Sequence, residues 1–249
     1  MEWHRPRDSL DLEAGYVHLW QAALDGTAGR VHALRQILAD DERCRADRLD
    51  EQTRRRFTMA RGLLRTILAR YLAIEPCALR FSYGPNGKPA LASAPGGADV
   101  QFNLAHSHEL ALYAVTLGRR VGVDIERIRR DFAAELIAER FFTPTEIAAL
   151  RSTPDDSKPQ AFFKCWTRKE AYIKATGAGI WQPLDHLDTA LTRGKPTASL
   201  RTRKNPEQAD RWSLREIDVG PGYAAALAVE GHGWRLKCWH CPAEPGAPA

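Results

Sequence analysis

The segment Val121-Gly122-Val123-Asp124-Ile125-Glu126 sets two carboxylates two residues apart between apolar neighbours. Side chains alternate along a strand, so Asp124 and Glu126 share one face while Val123 and Ile125 take the other. Two acids side by side repel unless a cation joins them, and hard oxygen donors suit Mg²⁺. The same pattern also fits an exposed strand edge carrying two solvated acids. A second constellation lies in Phe162-Phe163-Lys164-Cys165-Trp166-Thr167-Arg168-Lys169-Glu170-Ala171-Tyr172-Ile173-Lys174. On a helix, Trp166, Glu170 and Lys174 form one stripe at successive spacings of four. A solvated Glu–Lys pair would look alike, but the bulky aromatics beside it favour a half-buried site. There a carboxylate can hold a metal and a lysine can meet phosphate.

Groups able to hold an anion are more scattered. His106 stands in Asn103-Leu104-Ala105-His106-Ser107-His108, at the end of a strand. Lys88 follows Gly87, without the Gly-x-x-x-x-Gly-Lys-Ser/Thr spacing of a phosphate-binding loop. Arg61, Arg65 and Thr66 could also meet an anion, although helical arginines more often face solvent. Cys238 and Cys241 have the spacing of a metal or redox pair but no second pair, and packing in a strand explains them better.

These groups need a scaffold. Strand patterns run over 15–20, 79–83, 89–91, 100–104, 110–117 and 121–126, with Gly84-Pro85-Asn86-Gly87 as a hairpin turn. Helices are expected over 30–38 and, as one long stretch, from Asp40 to Leu72. Thr143-Pro144-Thr145-Glu146 opens another with a capping box, and a further helix over 158–176 stops at Gly177. Strands follow at 185–192, 197–203, 211–218, 222–230 and 232–239. The second half thus repeats the plan of the first. The reading is an α+β protein of two similar halves, 1–118 and 119–241, with a small, Pro-rich and disordered tail at 242–249.

The 249 residues are ample for a core, and no apolar run is long enough to suggest a membrane span. The N-terminus is polar and lacks the apolar stretch of a signal peptide, which points to the cytoplasm. Five scattered cysteines argue against a disulfide framework. A net charge of +5 calls for an anionic partner. Nucleic acid is disfavoured, because aromatics are not interleaved with the arginines of residues 43–70 as a base-stacking surface requires.

Taken in order, Gly87-Lys88-Pro89, Phe102-Asn103-Leu104-Ala105-His106-Ser107, Val121 to Glu126 and Trp166 to Lys174 resemble the phosphopantetheinyl transferase family. The likeness is to its large single-chain type, which activates peptide and polyketide synthases, and it spans about residues 40–190. Gly179-Ile180 and Pro183-Leu184-Asp185 extend it. The resemblance implies two α+β halves related by a pseudo-twofold, with coenzyme A in the cleft between them. It implies Asp124, Glu126 and Glu170 as Mg²⁺ ligands and Lys174 on the coenzyme A pyrophosphate. Lys88, His106, Arg61, Arg65 and Thr66 would hold its other phosphate and nucleotide parts. Ala105 stands where many members have Ser, so one hydroxyl contact to the nucleotide is missing. The activity implied is transfer of 4′-phosphopantetheine to the serine of an apo carrier protein, with release of 3′,5′-ADP, by a cytoplasmic monomer that uses no nucleic acid and no membrane. Rival readings are a coenzyme A-binding module without catalysis, which leaves the three acids without purpose, and an RNA-binding protein, which only the charge supports.

Overall fold

Local signals explain where most elements begin and end in the computed structural model. It describes residues 1–6, 10–93, 95–132, 134–179, 187–189, 197–198, 201–202, 207 and 210–242. After β1 (Trp3–His4) and β2 (Tyr16–Ala23), Thr27 caps α1 (Ala28–Gln36) by accepting from the Arg30 amide. The long helix expected from Asp40 to Leu72 is two helices, α2 (Asp40–Asp47) and α3 (Glu51–Leu72). The break has a local cause: Asp50 is extended, and its carboxylate accepts from the Thr53 amide as a new N-cap. The hairpin β3 (Phe81–Tyr83) and β4 (Pro89–Leu91) follows, then β5 (Val100–Ser107) and β6 (Leu110–Leu117).

The second half opens with β7 (Val121–Arg127) and α4 (Ala134–Phe141). Next comes α5 (Pro144–Arg151), where Thr143 and Glu146 form the expected capping box. Helix α6 (Lys158–Thr176) ends at Gly177, whose φ of 72° is the left-handed stop that glycine tolerates. Short strands β8 (Leu187–Asp188), β9 (Thr197–Ala198) and β10 (Arg201–Thr202) precede β11 (Trp212–Ile217), β12 (Tyr223–Glu230) and β13 (Arg235–His240). The remainder of the strands expected over 185–192 and 197–203, the stretch from Ile180 to Asp185 and the tail beyond Pro242 lie outside the described residues.

The chain packs as two compact units, Arg119–Trp234 and Glu2–Gly118 with the segment from Arg235 onward. Strand β13, expected to close the second half, instead pairs parallel with β2 through Arg235↔Tyr16 to His240↔Gln21. The sheet of that unit runs β1-β13-β2-β6-β5. Helix α3 lies against it and buries Met59, Leu63, Leu64, Ile67 and Leu68 with Trp20, Tyr113 and Val115. The other unit has an antiparallel sheet, β7-β12-β11-β9, with α6 against it. There Ala171, Ala175, Ala226 and Ala228 give a core of small side chains beside Tyr172, Trp212 and Leu214. A neighbouring aromatic cluster joins Phe142, Phe162 and Phe163 with Phe132 and Trp166. Cys238 and Cys241 are both free thiols, and Cys238 is buried.

Candidate active site

The carboxylates come together because β7 and α6 pack at very short range. Antiparallel pairing with β12 sets Asp124 opposite Ala226 and Glu126 opposite Ala224. Val121, Val123 and Ile125 are buried on one side of the strand, and Gly122 and Asp124 meet α6 on the other. A Cβ on Gly122 would collide with the Ala171 carbonyl oxygen and the Ala175 amide nitrogen. Only glycine permits this approach. One turn along the helix, Lys174 then reaches Asp124 and donates to its Oδ1 at 2.6 Å. Glu170 precedes Lys174 by one helical turn, on the same stripe.

The electrostatics of this group are unbalanced. Asp124 is 3% exposed, not the solvent-lined acid of an exposed strand edge. Burial pushes its carboxyl up to about 7; Lys174 opposes the rise, while Glu126 and Glu170 add to it. Glu170 is also raised, first by burial, against Lys174, and then by Glu126. For Lys174, burial alone would lower the ammonium, but Asp124, Glu170 and Glu126 outweigh it and hold it above its usual value. Three carboxylates therefore act on Lys174 at once. The Oδ2 of Asp124 is buried with no hydrogen-bond partner, a costly condition for a carboxylate oxygen. Among the described residues no three His, Cys, Asp or Glu side chains are already gathered at ligand spacing. The site nevertheless fits a hard cation, through an orphaned oxygen, two neighbouring acids and only oxygen donors.

The residues expected to grip the nucleotide belong to the other unit, and they divide. Arg61 and Arg65 are neither solvent-facing nor open to an anion: they are 7% and 1% exposed. Glu42 of α2 takes both, Arg61 Nε on Oε1 and Arg65 Nε on Oε2, each at 2.6 Å. Arg65 also donates to the Pro76 and Leu79 carbonyls, and both guanidiniums lie over the Phe81 ring. Thr66 turns its hydroxyl back to the Gly62 carbonyl within α3. His106 is exposed on β5, paired opposite Ala111, and Lys88 is half-buried at the end of the hairpin turn. Ala105 points away from the His106 side and is buried.

A family model described as the 4′-phosphopantetheinyl transferase superfamily matches residues 120–228, which contain all of β7 and α6. The chain is 43% identical over 239 residues to the 4′-phosphopantetheinyl transferase HetI of Nostoc sp., covering 96% of this chain and 98% of that one. The chain belongs to the 4′-phosphopantetheinyl transferase superfamily. It is 30% identical over 168 residues to the transferase Sfp of Bacillus subtilis, covering 67% of this chain and 70% of Sfp. A solved ACPS–CoA complex of Chronobacterium ammoniagenes aligns with 46% of the chain and 98% of its own, at 22% identity and a TM-score of 0.35.

Within this transferase, two supports of the site escaped the sequence reading. Gly122 is one, and a glycine inside an otherwise branched strand is the signal that could have revealed it. The other is the fully buried Lys169, which meets Glu146 at 2.7 Å and the Leu187 carbonyl. Glu146 in turn accepts from the Thr189 amide and hydroxyl, so α6 is tied to the start of α5 and to the segment after β8. No local spacing announces a contact between residues 23 positions apart.

Proposed function

We propose that this transferase moves the 4′-phosphopantetheine arm of coenzyme A to a serine of an apo carrier protein and releases 3′,5′-ADP. The observation that carries the reading is the cluster of buried Asp124 with half-buried Glu126 and Glu170 around Lys174, with its orphaned Asp124 oxygen. Asp124, Glu126 and Glu170 would hold Mg²⁺. When bound, the ion supplies charge neutralisation at the pyrophosphate and so favours attack at phosphorus.

The protein's own groups have separate tasks. Lys174, whose side chain is 32% exposed, leaves Asp124 to meet the pyrophosphate and stabilises charge on the departing oxygen. The serine oxygen forms the new bond to the β-phosphorus as the bridging oxygen departs with 3′,5′-ADP. Glu170 accepts the serine proton, directly or through a water, a role that rests on its position beside the reacting groups rather than on a high pKa. Lys88 and His106 are retained as contacts to the anionic parts of coenzyme A. Arg61 and Arg65 are not, because Glu42 already occupies them.

The carrier protein is expected at the start of the second half. Arg127 at the end of β7 and Arg129 and Arg130 just after it are exposed, and Leu136 on α4 is 70% exposed. An acidic carrier helix complements such a surface. Phe132, by contrast, belongs to the aromatic cluster with Phe162 and Phe163. Among the described residues no helix is long and apolar enough to cross a membrane. We place the reaction in the cytoplasm, carried out by a monomer. The decisive experiment incubates the protein with coenzyme A, Mg²⁺ and an apo carrier domain and weighs the carrier. A mass gain of one phosphopantetheine arm that requires Mg²⁺ supports the reading, and an unchanged carrier refutes it.

A further inference from the structure

Three parallel strands, β1, β13 and β2, form the floor of a cavity of about 620 Å³. Register sets His4 beside Trp239 and Lys237 beside His18, and the segment from Leu10 to Glu13 contributes to the lining. His18 is 1% exposed, and its Nδ1 lies 2.8 Å from the Tyr71 hydroxyl. That hydroxyl accepts from Trp20 Nε1 at 2.8 Å. An indole nitrogen can only donate, so the tyrosine's own proton is best placed on His18 Nδ1. The neutral imidazole then carries its hydrogen on Nε2. This Nε2 is buried without a partner, and so is Nε1 of Trp239. Two N–H donors without acceptors thus belong to side chains lining the same cavity.

The charges around them point the same way. Lys237 lies close enough to His18 to help lower its pKa to about 4, after burial, the larger cause. Its own acceptor, Glu13, is at 3.4 Å, a long contact. Arg5 and Asp11 also line the cavity. Leaving buried donors without acceptors is costly, so a pair of them marks a place built for an acceptor. We propose that this cavity is a binding site for a small oxyanion, a carboxylate or a phosphate, held by His18 Nε2–H, Trp239 Nε1–H and Lys237. The site belongs to the unit that does not contain Asp124, and the proposal is independent of the assignment of the carboxylate cluster.

The test follows the Trp239 indole and His18 imidazole signals by NMR in the full chain, titrated with acetate, citrate or inorganic phosphate. The expected result is one saturable curve shared by both signals. Saturation by the carboxylates alone identifies a carboxylate site, and saturation by phosphate alone a phosphate site. Trp239→Phe, a half-buried position, should weaken the His18 response by about tenfold or more while the amide spectrum stays dispersed. His18→Phe should do the same to the Trp239 response. Unmoved signals, linear drift without saturation, or unchanged affinity in a folded Trp239→Phe protein would overturn the proposal.

Discussion

Two charge clusters, one in each unit and each built on a buried carboxylate, handle their charge in opposite ways. Around Glu42, which is 2% exposed, Arg61 and Arg65 each find an acceptor, and no buried nitrogen or oxygen of the three side chains lacks a partner. Around Asp124, which is 3% exposed, one lysine faces three acids, one carboxylate oxygen is orphaned, and two carboxyl groups are raised in pKa. The first cluster is complete as it stands and fastens α2 to α3. The second keeps an acceptor oxygen without a donor. Burial alone does not separate structural charge from functional charge; the satisfaction of each polar atom does.

The contrast can be broken at either cluster. Asp124→Asn should lower turnover by about 10³-fold or more at saturating Mg²⁺, measured by carrier mass gain. Its melting temperature should stay near the parent's, because a carboxyl raised to about 7 is already partly protonated at neutral pH. Near-normal turnover would end the metal assignment. Glu42→Gln should do the reverse. It strands two buried guanidiniums and should cost about 3–5 kcal/mol in denaturant unfolding. The folded fraction, assayed at low temperature, should keep the parent's KM for coenzyme A. A raised KM would return Arg61 and Arg65 to the nucleotide site.

Gly122→Ala probes the approach that builds the second cluster. The added methyl forces β7 from α6, for about 1–3 kcal/mol of stability, and turnover falls as Lys174 and Asp124 separate. An alanine variant with unchanged melting and turnover would show that the close approach is dispensable. A subtler difference lies in proton linkage. Mg²⁺ must displace the proton of an Asp124 carboxyl with a pKa of about 7. Affinity should therefore fall as the pH drops below 7, approaching about tenfold per unit well below it, and level off above 7. Calorimetry in buffers of different ionisation heats should detect the released proton, and pH-independent binding between 6 and 8 would contradict the shift. The smallest effect is expected at the surface. Reversing Arg129 and Arg130 to Glu should raise KM for the carrier severalfold and flatten its salt dependence, with KM for coenzyme A unchanged. Equal kinetics across a salt series would place the carrier elsewhere.

Local chemistry was legible wherever a short motif closes on itself. The capping box of Thr143 and Glu146, the Gly177 stop, the exact bounds of Leu110–Leu117 and the Asp-x-Glu strand all follow from neighbours within a few residues. The Asp50 cap is equally local, yet the apolar stripe of the long helical stretch masks it and makes α2 and α3 look like one helix.

By itself, the sequence determined the α+β plan and the family, and it singled out Asp124, Glu126, Glu170 and Lys174 as candidates, because periodicity, capping and motif order are properties of short stretches. Tertiary structure alone decided which of the buried charges are already spoken for. Glu42 reaches Arg61 and Arg65 across 19 and 23 residues, and β13 returns to pair with β2 across more than two hundred. Such contacts depend on which surfaces meet when the apolar faces of helices and sheets are buried, and residue spacing along the chain carries no record of that meeting. The site's character rests on the same packing. An Asp-x-Glu on a strand is merely acidic until a glycine lets a helix press a lysine and another acid against it and its aspartate is buried.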